Sequence, residues 1–363
     1  MSATAPITLE MPKKPNIPTA VCGMLPPALE AEILAAKLPK FRAKQLSEWV
    51  WDKFAGAYDE MTNLPKELRV LLAEELPITP LALVKTTQSG DDTRKFLFRL
   101  ADGNLIESVL ISAPGRLTAC VSSQVGCALA CSFCASGLQG LVRNLAPSEI
   151  TGQIQMLQSI QKERISNIVY MGMGEPFANF DNVLESVAIL NHSKCAGIGA
   201  RKITISTSGL VPGILKLIRD PRQVRLSISL HAATDEIRNR IMPINQRYPI
   251  AELMRACRKY QADTGRMITF EYILLDGITC TQEQADALAR LLRGIRCTVN
   301  LIPYNTVEGL PYRRPPLPAQ KSFLHTLMDA RVRATLRMEK GHDISAACGQ
   351  LRLQNLESLP SDS

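Results

Sequence analysis

Apolar residues recur at helical spacing near the start of the chain. Leu29, Ile33 and Leu34 would fall on one side of an α-helix. Similar spacing continues for about 50 residues, a length suited to a small accessory domain. We therefore predict a helical domain over residues 21–80, preceded by a disordered leader over residues 1–20.

The pattern then changes to an alternation of apolar and polar residues. This alternation surrounds Asp102-Gly103, a strong turn signal, and predicts a β-hairpin connection over residues 81–112. Glu107 would lie on the return strand, on the same face as Val109 and Ile111. A carboxylate at such a position ordinarily faces solvent, and it matters to function only if that face lines an active site.

Beyond the hairpin, strand-like and helix-like segments alternate, which predicts parallel β/α units. The predicted strands are Leu117–Ser122, Asn167–Met171, Lys202–Ser206, Val224–Leu230, Met267–Leu275 and Cys297–Ile302, and a further strand is predicted from Val332 to Met338. The predicted helices are Ser148–Lys162, Asp181–Asn191, Val211–Ile218, Ile250–Asp263, Gln282–Arg293 and Ala319–Asp329. Six such units, fewer than the eight of a closed barrel, predict an α/β fold. We expect an incomplete (β/α)6 barrel over residues 113–338, followed by a tail over residues 339–363.

Composition narrows the function. The 363 residues carry 42 Lys and Arg against 34 Asp and Glu, a net charge of +8 that favours a polyanionic partner. The region beyond Pro311 is rich in Lys and Arg, a distribution that suits nucleic acid. No apolar run is long enough for a membrane span, and the N-terminus lacks a secretory core. Ten cysteines without such a signal indicate a reducing compartment, so we expect a cytoplasmic protein without membrane contact.

Three of the cysteines are closely spaced. Cys127, Cys131 and Cys134 form a C-x3-C-x2-C run, which can wrap one soft metal centre. A 4Fe–4S cluster usually takes four thiolates, so three would leave one iron open to a small molecule. Zinc is the alternative, with Cys120 as a fourth ligand.

Small and polar residues follow four of the predicted strands. Because active sites of β/α barrels lie at the carboxyl ends of the strands, these residues should share one mouth with the three cysteines. In the first of these segments two glycines would let the backbone approach a ligand closely, and Glu175 could accept a hydrogen bond from an amine. The four segments are Met171–Pro176, Ser206–Gly209, Ser229–His231 and Ile302–Asn305.

The cysteine run, with Phe133 before its last member, resembles the signature of the radical S-adenosylmethionine (SAM) superfamily. Together with V-S-S-Q-V-G-C, G-M-G-E-P, S-T-S-G, S-L-H, P-Y-N and D-I-S-A-A-C-G-Q-L, it resembles the RlmN/Cfr family of radical SAM RNA methyltransferases, over roughly residues 41–351. This resemblance implies methylation of C2 of an adenine in the peptidyl-transferase region of 23S rRNA and, in some members, of an adenine beside the tRNA anticodon. It also implies a reducing partner such as flavodoxin or ferredoxin, and a monomer.

The family pattern also assigns roles. Cys127, Cys131 and Cys134 would hold a 4Fe–4S cluster. SAM, two molecules per turnover, would be bound by Gly174, Glu175, Ser206, Ser229, Leu230, His231 and Asn305. Cys348 would carry the methyl group, Cys120 would resolve the intermediate by forming a disulfide with it, and Glu107 would accept a proton. Such a disulfide requires Cα atoms about 4.4–6.8 Å apart.

Other interpretations stay open at this point. Cfr-type enzymes methylate C8 of the same adenine, although Ser122–Gly126 and Leu301–Asn305 look more like the C2-specific branch. A relative with another RNA target shares the same motifs. A non-enzymatic, metal-stapled RNA-binding protein would need neither Cys120 nor Cys348.

Overall fold

The computed structural model describes residues 17, 19–307, 309–337, 340–347 and 349–351. Three helices near the N-terminus confirm the helical prediction: α1 Pro26–Ala35, α2 Phe41–Trp51 and α3 Lys66–Glu75. Ile33, Leu46 and Trp51 are buried between them. These helices also bond to the rest of the fold, because Ser47 Oγ donates to the carbonyl of Lys194 at 2.5 Å.

Ten of the twelve strands form one open sheet in the order β1-β2-β3-β4-β7-β8-β9-β10-β11-β12. They are β1 Ala82–Gln88, β2 Arg94–Arg99, β3 Leu105–Ala113, β4 Arg116–Cys120, β7 Asn167–Tyr170, β8 Ile203–Thr207, β9 Arg225–Ser229, β10 Ile268–Leu274, β11 Cys297–Pro303 and β12 Ala334–Leu336. The two remaining strands, β5 Gln124–Gly126 and β6 Leu141–Asn144, form a separate antiparallel hairpin.

The parallel part of the sheet confirms the incomplete barrel and extends it. From β4 to β12 all neighbours are parallel, and β12 adds a seventh strand beside β11. The predicted strands were right within one or two residues, apart from Val332 to Met338, of which Ala334–Leu336 forms β12 and Met338 lies outside the described residues. Strands β8, β10 and β11 are mostly buried, as parallel strands covered on both faces should be.

Helices cover the outer face of the barrel. They are α4 Pro147–Gln161, α5 Phe180–Asn191, α6 Val211–Leu217, α7 Asp235–Ile241, α8 Ile250–Thr264, α9 Gln282–Leu291 and α10 Leu317–Asp329. The sequence missed α7, which is only two turns long. Within the described residues, no helix is both long enough and apolar enough to cross a bilayer.

The predicted hairpin exists as β2 and β3, with Gly103 in the left-handed region at φ 83°. It is part of a larger unit, however. β1, which was not predicted, pairs with β2, and β3 pairs antiparallel with β4 of the barrel. Because Val109 pairs with Cys120 in this register, the hairpin lies directly beside the first strand of the barrel.

Candidate active site

A cleft opens at the carboxyl ends of the parallel strands. It encloses about 940 Å³, counting the part open to solvent. Its walls bring together most of the residues predicted to bind the cluster and SAM: Cys127, Cys131, Cys134, Gly174, Glu175, Ser206, Ser229 and His231. The ring of polar groups expected at one barrel mouth is therefore present.

The loop that carries the three thiols is closed at its base by the β5–β6 hairpin. The amide of Cys127 donates to the carbonyl of Gly140 at 2.8 Å. Gly126 has φ 74°, and a Cβ there would lie 1.9 Å from that carbonyl oxygen. Only glycine fits this crossing. Gly137 is also tightly placed, since a Cβ would lie 3.2 Å from the amide nitrogen of Cys131.

The three thiols suit a multinuclear cluster better than zinc. Burial raises the pKa of Cys127 to about 12 and raises the pKa of Cys131 well above its usual value, so thiolates here need a strong positive centre. Cys120, the proposed fourth zinc ligand, lines a different cavity. The soft donors on one closed loop fit a cluster that leaves one iron open.

Glu175 ties two strand ends together under this cleft. Its Oε1 accepts from the amide of Phe177 at 2.9 Å, and its Oε2 accepts from the amide of Ser208 at 2.7 Å. Burial raises the pKa of the Glu175 carboxyl, and these backbone donors partly offset that rise. Its carboxylate oxygens keep lone pairs for a ligand amine, and its contact with SAM stays a prediction.

The glycines before Glu175 lie close to the protein's own backbone, a contact that the sequence did not predict. A Cβ at Gly172 would lie 2.7 Å from the carbonyl of Val121, and one at Gly174 would lie 2.8 Å from the amide of Gln124. These glycines let the end of β7 pack against the segment that leads into the thiol loop. Both also line the cleft, and their close approach to a ligand stays a prediction.

His231 is a neutral residue of the cleft wall. Its Nδ1 accepts from the amide of Ile273 at 3.1 Å, which leaves the proton on Nε2. Burial, together with the charge of Arg238, lowers the pKa of His231 to about 3. Its ring meets the ring of Phe133 edge to face, with centroids 5.0 Å apart. Leu230, in contrast, is fully buried and is absent from the cleft lining.

Arg238 on α7 organises the same region and was not predicted. Its fully buried guanidinium donates to the carbonyls of Leu230 at 3.0 Å and Ser208 at 2.7 Å, and to Asn245 Oδ1 at 2.8 Å. Burial lowers the pKa of Arg238 to about 10, and the nearby Cys131 opposes that change. Arg238 therefore fixes two strand ends and places positive charge close to the thiol loop. Arg238 belongs to none of the sequence motifs, so the sequence gave no sign of this role.

A second cavity adjoins the cleft and contains Cys120. The two cavities share Met171, Ile302 and Arg337 in their walls. Asn305, predicted to bind SAM, lines this second cavity and is absent from the lining of the first. Arg337 was noticed only as part of a basic region, and the structure places it between the two spaces.

Glu107 is buried, which overturns the ordinary expectation of a solvent-facing position. Its Oε1 lies 3.0 Å from the ammonium of Lys95. Lys95 Nζ also donates to the carbonyl of Ser345, at 3.4 Å, in the C-terminal segment. Glu107 is on the same strand face as Val109 and Ile111, which line the second cavity.

Cys348 lies outside the described residues, and its role as methyl carrier stays a prediction. The residues on either side of it in sequence are described. Ala347 lines the second cavity, and Gly349 lines the cleft. The segment is anchored to the thiol loop, because the amide of Ala135 donates to the carbonyl of Gly349 at 2.8 Å.

Glu271 is a further cleft residue that the sequence did not reveal. It is 4% exposed, and its Oε1 accepts from Ser227 Oγ at 2.9 Å and from Asn300 Nδ2 at 3.1 Å. Burial raises its pKa, against the opposing charge of Arg337. Its Oε2 is buried and has no partner among the described residues. In sequence it stands within an apolar strand and belongs to no motif.

An open barrel with a three-thiol loop at the carboxyl ends of its strands defines the class of radical SAM enzymes, and comparison with known proteins agrees. Residues 121–292 match the model of the radical SAM superfamily. Residues 21–78 match the model described as ribosomal RNA large subunit methyltransferase N-terminal domain.

Similar proteins extend over almost the whole chain. A probable dual-specificity RNA methyltransferase RlmN from Akkermansia muciniphila is 49% identical, with 87% of this chain and 90% of that protein covered. One from Thermotoga maritima is 46% identical, with 91% and 96% covered. The crystal structure of a radical SAM methyltransferase from Sphaerobacter thermophilus has a TM-score of 0.89 and 47% identity, with 92% and 99% covered. The chain belongs to the RlmN family of radical SAM RNA methyltransferases.

Proposed function

We propose that this enzyme methylates C2 of an adenine in the peptidyl-transferase region of 23S rRNA and of an adenine beside the anticodon of tRNA. The observation that carries the proposal is the junction of the two cavities. One holds the three-thiol loop and the other holds Cys120, and they share Met171, Ile302 and Arg337 as walls. A reacting base could then meet both chemistries without leaving the site.

The cleft residues would hold the cofactors. Cys127, Cys131 and Cys134 would bind the cluster, and Glu175 with the ends of β8 and β9 would bind SAM, two molecules per turnover. When bound, the cluster and SAM would supply the one-electron chemistry that an electron-poor aromatic carbon such as C2 of adenine requires. The protein would orient SAM and keep its reactive carbon near the second cavity.

The thiols outside the loop would handle the methyl group. The sulfur of Cys348 would carry it to the base. The thiolate of Cys120 would then attack the sulfur of Cys348 and form a disulfide. The sulfur–carbon bond would break, and the carbon would keep the electron pair and take up a proton, which completes the methyl group on the RNA. The position of Cys120 in the second cavity, with Ala347 in the same wall, supports this assignment.

Glu107 would accept the proton lost from C2. Its carboxylate is buried and is paired with Lys95, and it follows the same strand face that lines the second cavity. Lys95 also bonds to the carbonyl of Ser345, just before Cys348 in sequence. Lys95 would therefore couple the position of the proton acceptor, Glu107, to that of the methyl carrier, Cys348.

The proposal also includes an electron donor and an assembly state. A small electron-transfer protein such as flavodoxin or ferredoxin would reduce the cluster, and the enzyme would act as a monomer. Sedimentation of the anaerobic protein with and without flavodoxin would test both statements. A stable dimer would contradict the second.

The proposal is tested by anaerobic reaction of the reconstituted enzyme with SAM, dithionite and either 23S rRNA or tRNA. We expect about four irons per chain and 2-methyladenosine in the digested RNA. Cys348→Ala should abolish methylation, and Cys120→Ala should trap a covalent protein–RNA adduct. Cys280→Ala, which lines neither cavity, is the matched control and should behave as the wild type. Formation of 8-methyladenosine would move the enzyme to the Cfr branch, and normal turnover by Cys348→Ala would end the methyl-carrier assignment.

A further inference from the structure

The barrel edge opposite the cleft carries a strongly basic recess. It lies between the end of α9 with its following loop and the loop after α10, and it encloses about 1240 Å³, counting the part open to solvent. Its charged lining consists of five arginines and one acid: Arg290, Arg293, Arg296, Arg331, Arg333 and Asp286. We call these residues the basic recess.

Four of these arginines have side chains without a polar partner among the described residues. The side chains of Arg290, Arg293, Arg331 and Arg333 are exposed and make no hydrogen bond or ion pair within the part of the chain that the structure describes. Arg296 differs, because its guanidinium donates to the carbonyl of Gly265. Guanidinium groups gathered around one concavity repel each other, and an oxyanion ligand would relieve that repulsion.

Helix stabilisation explains only part of this cluster. Arg290 is in the last turn of α9, where a positive charge favours the helix dipole. Arg331 instead occupies φ 60° just after α10, a position where glycine is favoured and another residue costs about 1 kcal/mol. Arg333 stands at the start of β12, where its carbonyl accepts from the amide of Val299 at 2.8 Å. Neither of the last two has a structural reason to be arginine.

We propose that the basic recess binds the phosphate backbone of the RNA substrate, away from the reacting base. The proposal rests on the proposed function only in that the ligand is the substrate RNA. Strand β11 measures the span, because Cys297 lines the recess and Ile302 lines the cleft. Five residues of strand separate them by roughly 17 Å. A folded RNA is large enough to reach around this edge, whereas a single nucleotide is not.

The same distance argues against an acidic electron donor as the occupant. A protein docked in the basic recess would face the amino ends of the strands, and the three-thiol loop lies at their carboxyl ends. The barrel would stand between the donor and the cluster. RNA has no such constraint, and its regular spacing of phosphates suits several arginines at once.

The test compares two variants of the reconstituted holoenzyme with equal charge loss. The first, the recess variant, replaces the four arginines whose side chains have no polar partner among the described residues: Arg290→Gln, Arg293→Gln, Arg331→Gln and Arg333→Gln. The control replaces four exposed cations near β8, α6 and β9: Arg201→Gln, Lys202→Gln, Lys216→Gln and Arg225→Gln. Fluorescence anisotropy with a labelled transcript of the 23S rRNA peptidyl-transferase region gives the affinity at a series of salt concentrations.

We expect the recess variant to lower the slope of log affinity against log salt by roughly 3, at about 0.7–0.9 for each lost phosphate contact. The slope of the control should stay near that of the wild type. In turnover, the recess variant should raise KM for the long transcript and leave kcat unchanged. Equal losses in both variants would mean that only net charge matters, and would overturn the proposal.

Two further outcomes are decisive. If the recess variant binds RNA normally but no longer binds flavodoxin, the occupant is an acidic protein and the proposal is wrong. Formation of 8-methyladenosine, or the absence of methylation, would refute the proposed function alone, because RNA binding is measured without turnover. Normal 2-methyladenosine formation with unchanged salt dependence would refute the recess alone.

Discussion

Replacing Glu149 with alanine should destabilise the protein and weaken its hold on the cluster. Glu149 is fully buried in the first turn of α4, and both its oxygens accept from Arg143, each at 2.8 Å. Arg143 belongs to β6, so this pair joins α4 to the hairpin that closes the thiol loop. The Arg143 side chain also bonds to Asp102 in the β2–β3 turn, at 2.6 Å.

The magnitude follows from burial. Removing one partner of a buried ion pair leaves an uncompensated charge and costs about 3–5 kcal/mol. Glu149 Oε2 also accepts from the amide of Ala146 at 2.9 Å, so the same change removes a helix cap worth about 1 kcal/mol. Asp102 remains as a partially exposed partner of Arg143, so we expect a loss near the middle of the range, about 4 kcal/mol.

The measurement is urea unfolding of the wild type, Glu149→Ala and a surface control, together with iron content after anaerobic reconstitution. The control is Asp263→Asn, which breaks the exposed pair with Lys259 and should cost less than about 1 kcal/mol. A Glu149→Ala loss as small as that of the control would refute the reasoning. Unchanged iron content despite a large loss of stability would show that the hairpin holds its shape without the pair.

Three further outcomes are expected. Gly126→Ala should lower iron content and visible absorbance after reconstitution, because its Cβ would meet the carbonyl of Gly140; full iron content would contradict this. Glu271→Gln should weaken SAM binding about tenfold in calorimetry, since a buried carboxylate accepts charge-assisted hydrogen bonds better than an amide does, and equal affinity would exclude that role. His231 has a folded pKa of about 3 against about 6.5 unfolded, so stability should fall as pH drops below about 6.5, by about 2 kcal/mol at pH 5. In urea unfolding at pH 7 and pH 5, His231→Asn should lose less, and an equal loss would contradict the depressed pKa.

The sequence could predict the parts of the fold and the site that depend on residues close together in the chain. The thiol run is local, and Gly126 beside it marks a crossing that only glycine tolerates. The strand ends follow from the alternation of elements, so Glu175 and Ser206 could be placed at one mouth in advance. Strand β1 was missed because its residues are mostly exposed and show no apolar alternation.

The missed site residues act over long sequence distances. Arg238 donates to the backbone carbonyls of Ser208 and Leu230. Every residue has a backbone carbonyl, so the side chains at these positions do not reveal the contact. Lys95 meets Glu107 only because β2 and β3 pair in a particular register. The apolar–polar pattern predicts the hairpin but does not fix that register to a single residue. Lys95 also bonds to the carbonyl of Ser345 in the C-terminal segment, 250 residues away in sequence.

The register of β3 and β4 explains how one short stretch of chain places thiols in two different cavities. Ala119 and Val121 belong to the main core, whereas Cys120 packs with Val109 in a separate cluster at the second cavity. Because side chains alternate along a strand, a shift of one residue would turn Cys120 into the main core and away from that cavity. The pairing of Val109 with Cys120 prevents the shift. Cys120 is therefore held apart from the thiol loop that begins only seven residues later, and it lines the second cavity, where we propose that it reacts with Cys348.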